Sequence, residues 1–76
     1  MEKNNGVKMY MFQILKKKIG VTANVVEAYG GYEITVLDNN RFPWNEVFSL
    51  LLDSGFQIWI NKKNSHIQVM SKTEVD

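Results

Sequence analysis

His66 is the only histidine in the chain, and Ser49, Ser54, Ser65 and Ser71 are the serine hydroxyls that it could activate as a base. Nucleophilic catalysis needs hydroxyl and base side chains within hydrogen-bond reach of each other. Ser65 is the immediate neighbour of His66, and on a strand two successive side chains point to opposite faces, so they cannot form that pair. The eight acidic residues are scattered, with no two spaced for acid/base work, and the absence of cysteine removes thiolate ligands and disulfides alike. A metal would require further His, Cys or carboxylate ligands at regular spacing around His66, and none is visible. The expectation is a protein that is not an enzyme and carries no metal or cofactor.

Two clusters of positive charge remain. Lys62-Lys63 falls between two alternating segments and reads as the tip of a hairpin, while Lys16-Lys17-Lys18 falls in the last turn of a helix. Both have an ordinary explanation, a solvated turn and a cation at the carbonyl end of a helix. They also suggest an alternative in which Lys62, Lys63, Lys16, Lys17 and Lys18, with Trp59 as a stacking platform, hold RNA or DNA. Trp59 itself is the best candidate for recognition. An indole on the outer side of a sheet, framed by His66, Gln68, Gln57 and Leu37, with Val26 and Met70 nearby, makes an apolar patch in a polar rim, and tryptophan is enriched at interaction hot spots. A protein partner or a second copy of the chain is the expected ligand.

The elements that must carry these residues follow from periodicity. Trp44, Val47, Phe48, Leu51 and Leu52 recur at helical spacing behind Pro43, a good first helical residue, and Gly55 can end the helix in a left-handed conformation. Phe56, Ile58 and Ile60 then alternate with Gln57, Trp59 and Asn61, and Ser65 to Met70 alternates again. A turn centred on Lys62-Lys63 sets Phe56 opposite Val69, Ile58 opposite Ile67, Trp59 opposite His66 and Gln57 opposite Gln68. Upstream, Met11, Phe12, Leu15 and Ile19 predict a helix over 8–19 that stops at Gly20. Val21 to Tyr29 and Tyr32 to Asp38 predict a first hairpin about Gly30-Gly31, with Tyr29 opposite Tyr32 and Val25 opposite Val36.

The order αββαββ gives an α+β class: a small four-stranded, mainly antiparallel sheet with both helices on one face. The expected organisation is one domain over 8–70 between flexible tails at 1–7 and 71–76, with Met1 and Met9 both possible starts. Seventy-six residues suffice for a single modest core, and 45% apolar residues argue for one. A net charge of +1 disfavours a strongly electrostatic nucleic-acid binder. No apolar run approaches the roughly 20 residues of a membrane span, and no signal sequence is evident, so the expected location is the cytoplasm.

One resemblance bears on His66. The run Leu51-Leu52-Asp53-Ser54-Gly55-Phe56, followed by Asn64-Ser65-His66, resembles the HicA-type mRNA interferase toxins. In that family a helix leads into a Gly-Phe strand, and a Gly-Ser-His run brings the catalytic histidine; here Asn64 stands in place of the glycine. The resemblance implies a third possibility, RNA cleavage with His66 as the catalytic residue.

Overall fold

The computed structural model describes residues 2–28 and 30–73, with side chains from residue 10 onward. The order is α1 (Glu2–Ile19), β1 (Ala23–Ala28), β2 (Gly31–Val36), α2 (Trp44–Asp53), β3 (Phe56–Lys63) and β4 (His66–Thr73). The α+β class and the αββαββ order are as the periodicity indicated. Two bounds differ. Helix α1 begins at Glu2 rather than at Lys8, and β4 runs on through Ser71 to Thr73, which were expected to fray. Ser71 stays in the sheet because it is buried opposite Tyr32.

The strands form one sheet in the order β1-β2-β4-β3, each neighbouring pair antiparallel. The two hairpins meet along the β2–β4 seam. Strands β2 and β3, joined through α2, therefore run parallel with β4 between them.

Both hairpins turn elsewhere than expected. The second closes over Asn64-Ser65, whose φ values of 53° and 70° are both positive, as a two-residue type I′ turn requires. Asparagine tolerates that conformation and lysine has no such advantage, so Lys62 and Lys63 remain in β3. Ile58 consequently lies opposite Ser71, not Ile67, and Trp59 lies opposite Met70, not His66. The first hairpin closes one residue early, with Ala28 opposite Gly31 and Gly30 at φ 80°. Val25 then pairs with Ile34 and Glu27 with Tyr32; the expected partner Tyr29 lies outside the described residues. Gly31 is in the strand, where a Cβ would lie 1.7 Å from the Ser71 carbonyl oxygen. Gly30 serves the turn and Gly31 serves the seam.

The core lies between the sheet and the two helices. Met11, Leu15 and Ile19 from α1 and Val47 and Leu51 from α2 bury against Ala23, Val25, Tyr32, Ile34, Val36 and Val69, all on one sheet face. Tyr32 stacks with Phe12 and tilts against Phe56, at centroid distances of 6.1 and 5.6 Å. Its partner on β4 is the small Ser71, whose hydroxyl donates to the Tyr32 carbonyl at 3.4 Å, and Phe56 approaches the ring diagonally from β3. Burial, and after it the Glu27 carboxylate, raises the Tyr32 hydroxyl above its ordinary pKa of 10.0.

Helix α2 is rotated from its expected stripe. Val47 and Leu51 are fully buried, Leu50 packs half-buried on the core, and Leu52 is 57% exposed. At about 100° per residue, a stripe centred between Val47 and Leu51 has Leu50 some 80° to one side and Leu52 about 120° to the other. Ser54 and Gly55 donate to the Leu50, Leu51 and Leu52 carbonyls, and Gly55 at φ 88° turns the chain into β3. At the other end Pro43 stands one residue before the helix, and the Trp44 indole donates to the Asn39 carbonyl at 2.9 Å.

Candidate functional site: the open face of the sheet

Alternation of side chains fixes what the helix-free face carries. Its central row runs across all four strands as Val26, Glu33, Met70 and Trp59. Beside it lies a row of amides and a hydroxyl, Asn24, Thr35, Gln68 and Asn61; on the other side lie Ala28, Gly31, Lys72 and Gln57. The pair Lys63 and His66 closes the hairpin end of this face.

Trp59, on edge strand β3, is 49% exposed. Its direct cross-strand neighbour is Met70, half-buried, and its diagonal neighbours on β4 are Gln68 and Lys72. A thioether beside an indole gives an adaptable apolar centre, for methionine moulds to what it meets. Gln68 is only 7% exposed, and its amide donates to the Thr35 hydroxyl at 3.4 Å. It braces β4 against β2 beneath the surface and offers little contact area. Gln57 is exposed on the same face as Trp59, at the opposite end from His66. Leu37, 49% exposed, follows β2, where its N–H donates to the Thr22 carbonyl at 2.8 Å.

His66 does not stack on Trp59. It sits exposed opposite Lys63, four strand positions and about 13 Å along from Trp59 at 3.3 Å per residue. Ser65 is in the turn, not on a strand. Among the described residues no three His, Asp or Glu side chains converge as metal ligands would.

The lysines divide between the two sides of the sheet. Lys63 shares the open face with Trp59, whereas Lys62 projects from the helix side. Lys16, Lys17 and Lys18 end α1, in the helix layer. There Lys18 reaches Glu46 of α2 at 3.6 Å, and the Lys16 ammonium lies 5.6 Å from the Phe12 ring centre. Only Lys63 of the five candidate lysines is placed beside the tryptophan face. Lys72, which the sequence reading passed over, joins it there, and Glu33 offsets one of the two charges.

Met70, Lys72, Glu33 and Asn61 are the face residues that sequence reasoning underweighted. The signal that would have found them is Asn64-Ser65 as a turn pair, since relocating the turn reassigns every neighbour on β4. A shallow hollow at the start of α2, lined by Phe42, Pro43, Trp44, Asn45 and Glu46, comes from one continuous segment and gathers no set of polar groups from elsewhere. No helix among the described residues is long and apolar enough to cross a membrane. Comparison of the chain with protein-family models, with curated proteins and with solved structures returns no match.

Proposed function

We propose that this chain is a small non-enzymatic binding domain that recognises another protein through the open face of its sheet, with Trp59 and Met70 at the centre of contact. The observation that carries this reading is the half-exposed indole paired with a methionine on a face that neither helix covers. Gln57, Asn61 and Lys72 supply a hydrogen-bonding and charged rim, and Gln68 and Thr35 hold the platform flat from within. Interfaces commonly take this form, with an aromatic anchor inside a polar border.

The test is capture from the native host on immobilised protein. Wild type should retain a specific protein that Trp59→Ala loses, while circular dichroism and the urea midpoint stay near wild type because the ring is half exposed on an edge strand. Capture indifferent to Trp59→Ala would refute the assignment.

Lys63 and Lys72 on the same face as Trp59 support a second reading, binding of single-stranded nucleic acid. With two lysines facing the ligand, log affinity would fall with log salt with a slope of roughly 1.4. Absence of oligonucleotide binding at low salt would remove it.

A further inference from the structure

We propose that a second copy of this chain pairs antiparallel with β3, joining two sheets into one of eight strands about a two-fold axis beside Trp59. The proposal rests on the edge of the sheet and not on its open face, so the two readings fail independently.

Strand β3 is eight residues long and stands at the end of the sheet order, with no neighbour beyond it among the described residues. The type I′ turn makes Lys63 and His66 a hydrogen-bonded pair, and the alternation of antiparallel ladders then does the same for Asn61–Gln68, Trp59–Met70 and Gln57–Lys72. The N–H and C=O groups of Phe56, Ile58, Ile60 and Lys62 are left pointing outward from the sheet. The same alternation aims the Thr73 N–H at β2, and it is found donating to the Gly30 carbonyl at 3.4 Å.

Those outward groups match their own copies. A two-fold at Trp59 sets Ile58 against the partner's Ile60 and Phe56 against the partner's Lys62, each pair exchanging two hydrogen bonds. Trp59 meets the partner's Trp59, and Gln57 meets the partner's Asn61. All four outward residues of both strands are then paired. Moving the axis to Ile58 or to Ile60 leaves one outward residue of each strand without a counterpart. Ile60, 56% exposed although it projects on the helix side, would gain the partner's Ile58 as a cover.

Charge favours the same register. It lays Lys62 against the partner's Phe56 and Lys63 against the partner's Gly55, just beyond the carbonyl end of α2 and its Asp53, a last turn with no basic residue. The other edge of the sheet is the shorter one, β1 having six residues against the eight of β3, so it offers fewer outward groups to a second copy. A single strand pair buries little area, so the dimer should be reversible and concentration-dependent.

Sedimentation velocity from about 5 to 500 μM should show wild type moving from one to two chain masses, in the range expected of a small interface. Ile60→Pro removes an outward N–H that β4 does not use, and Ile60→Lys sets a charge in the pair; both should remain single chains at all concentrations. If Ile60→Pro fails to fold, Ile60→Lys decides. The register is read with Trp59→Cys. Facing residues of a non-hydrogen-bonded pair bring their Cβ atoms to about 4.5–5.5 Å, so this thiol, the only one in the variant, should oxidise to a disulfide dimer, and Gln57→Cys should not. A wild type monomeric throughout, or a dimer that survives both Ile60 variants, overturns the edge pairing. Trp59→Cys that fails to cross-link overturns the axis. Host-partner capture retained by Ile60→Lys leaves the open-face reading standing in either case.

Discussion

Replacing Gly31 by alanine should be far more damaging than replacing Gly30, although the two are neighbours. At Gly31 an added Cβ would stand 1.7 Å from the Ser71 carbonyl oxygen, 2.6 Å from its carbon and 2.7 Å from the Lys72 Cα. All three are backbone atoms of β4, so no side chain can swing aside. Real Cβ atoms essentially never come within 3.0 Å, and the strands must separate by at least the difference, 3.0 − 1.7 = 1.3 Å. That opens the end of the β2–β4 seam, where Gly31 pairs with Lys72 and Tyr32 with Ser71. Two lost backbone hydrogen bonds at about 1 kcal/mol each, with roughly 1 kcal/mol or more of overpacking, give a loss of about 3 kcal/mol. A chain of this length holds only roughly 4–11 kcal/mol in all. Thermal unfolding followed by circular dichroism should show Tm lowered by roughly 12–24 °C. At Gly30 an added Cβ meets nothing within 4 Å, and only the positive φ of 80° opposes alanine. That variant should lose about 1 kcal/mol, or roughly 4–8 °C. Equal melting temperatures for the two variants would refute the view that Gly31 is required by the seam.

Ser65→Gly should raise the urea midpoint by the equivalent of about 0.5–1 kcal/mol, because glycine accepts the φ of 70° without strain; no gain would speak against a type I′ turn. Leu51→Ala should cost about 2–5 kcal/mol and Leu52→Ala less than about 0.5 kcal/mol, since the first is fully buried and the second mostly exposed; similar urea midpoints would contradict the observed rotation of α2. Tyr32 predicts an alkaline weakness. The unfolded phenol ionises near 10.0 while the folded one keeps its proton to higher pH, so its contribution is complete below that value and is lost as pH climbs through the raised folded pKa. Wild type should therefore lose stability faster than Tyr32→Phe above about pH 10, and parallel curves of urea midpoint against pH would refute it.

Helices and faces were legible because each rests on a period that a single sequence displays. Met11, Phe12, Leu15 and Ile19 defined α1 well, but its beginning was hidden, for residues 2–6 carry no large apolar side chain and so no stripe. Five of the six apolar residues of α2 fall in the expected stripe, yet its rotation was not legible: Leu50 and Leu52 are equally greasy, and only docking on the sheet decides which is buried. Gly31 and Ser71 were opaque for a related reason. Glycine beside glycine suggests a turn, and serine near the end suggests a tail, yet Gly31 has no room for a Cβ beside the β4 backbone and Ser71 is buried opposite Tyr32. That requirement exists only once β2 and β4, forty residues apart, lie side by side.

The candidate site was half legible, and the reason is arithmetic. In a hairpin with a two-residue turn, moving the turn by one residue changes the partner of every strand residue by two. Moving the Lys62-Lys63 turn to Asn64-Ser65 carries the partner of Ile58 from Ile67 to Ser71, an even step, and moving the first turn carries the partner of Val25 from Val36 to Ile34, even again. Even steps never exchange faces. Trp59, Gln57, Gln68 and His66 therefore stayed on one side of the sheet however the turn was placed, and Ile58, Ile60, Ile67 and Val69 stayed on the other. What the misplaced turn lost was adjacency: Trp59 gained Met70 and gave up His66. A function that needs only a tryptophan on an open face survives that loss. One that needs an indole stacked on an imidazole does not, and it is the first kind that the register of β3 and β4 supports.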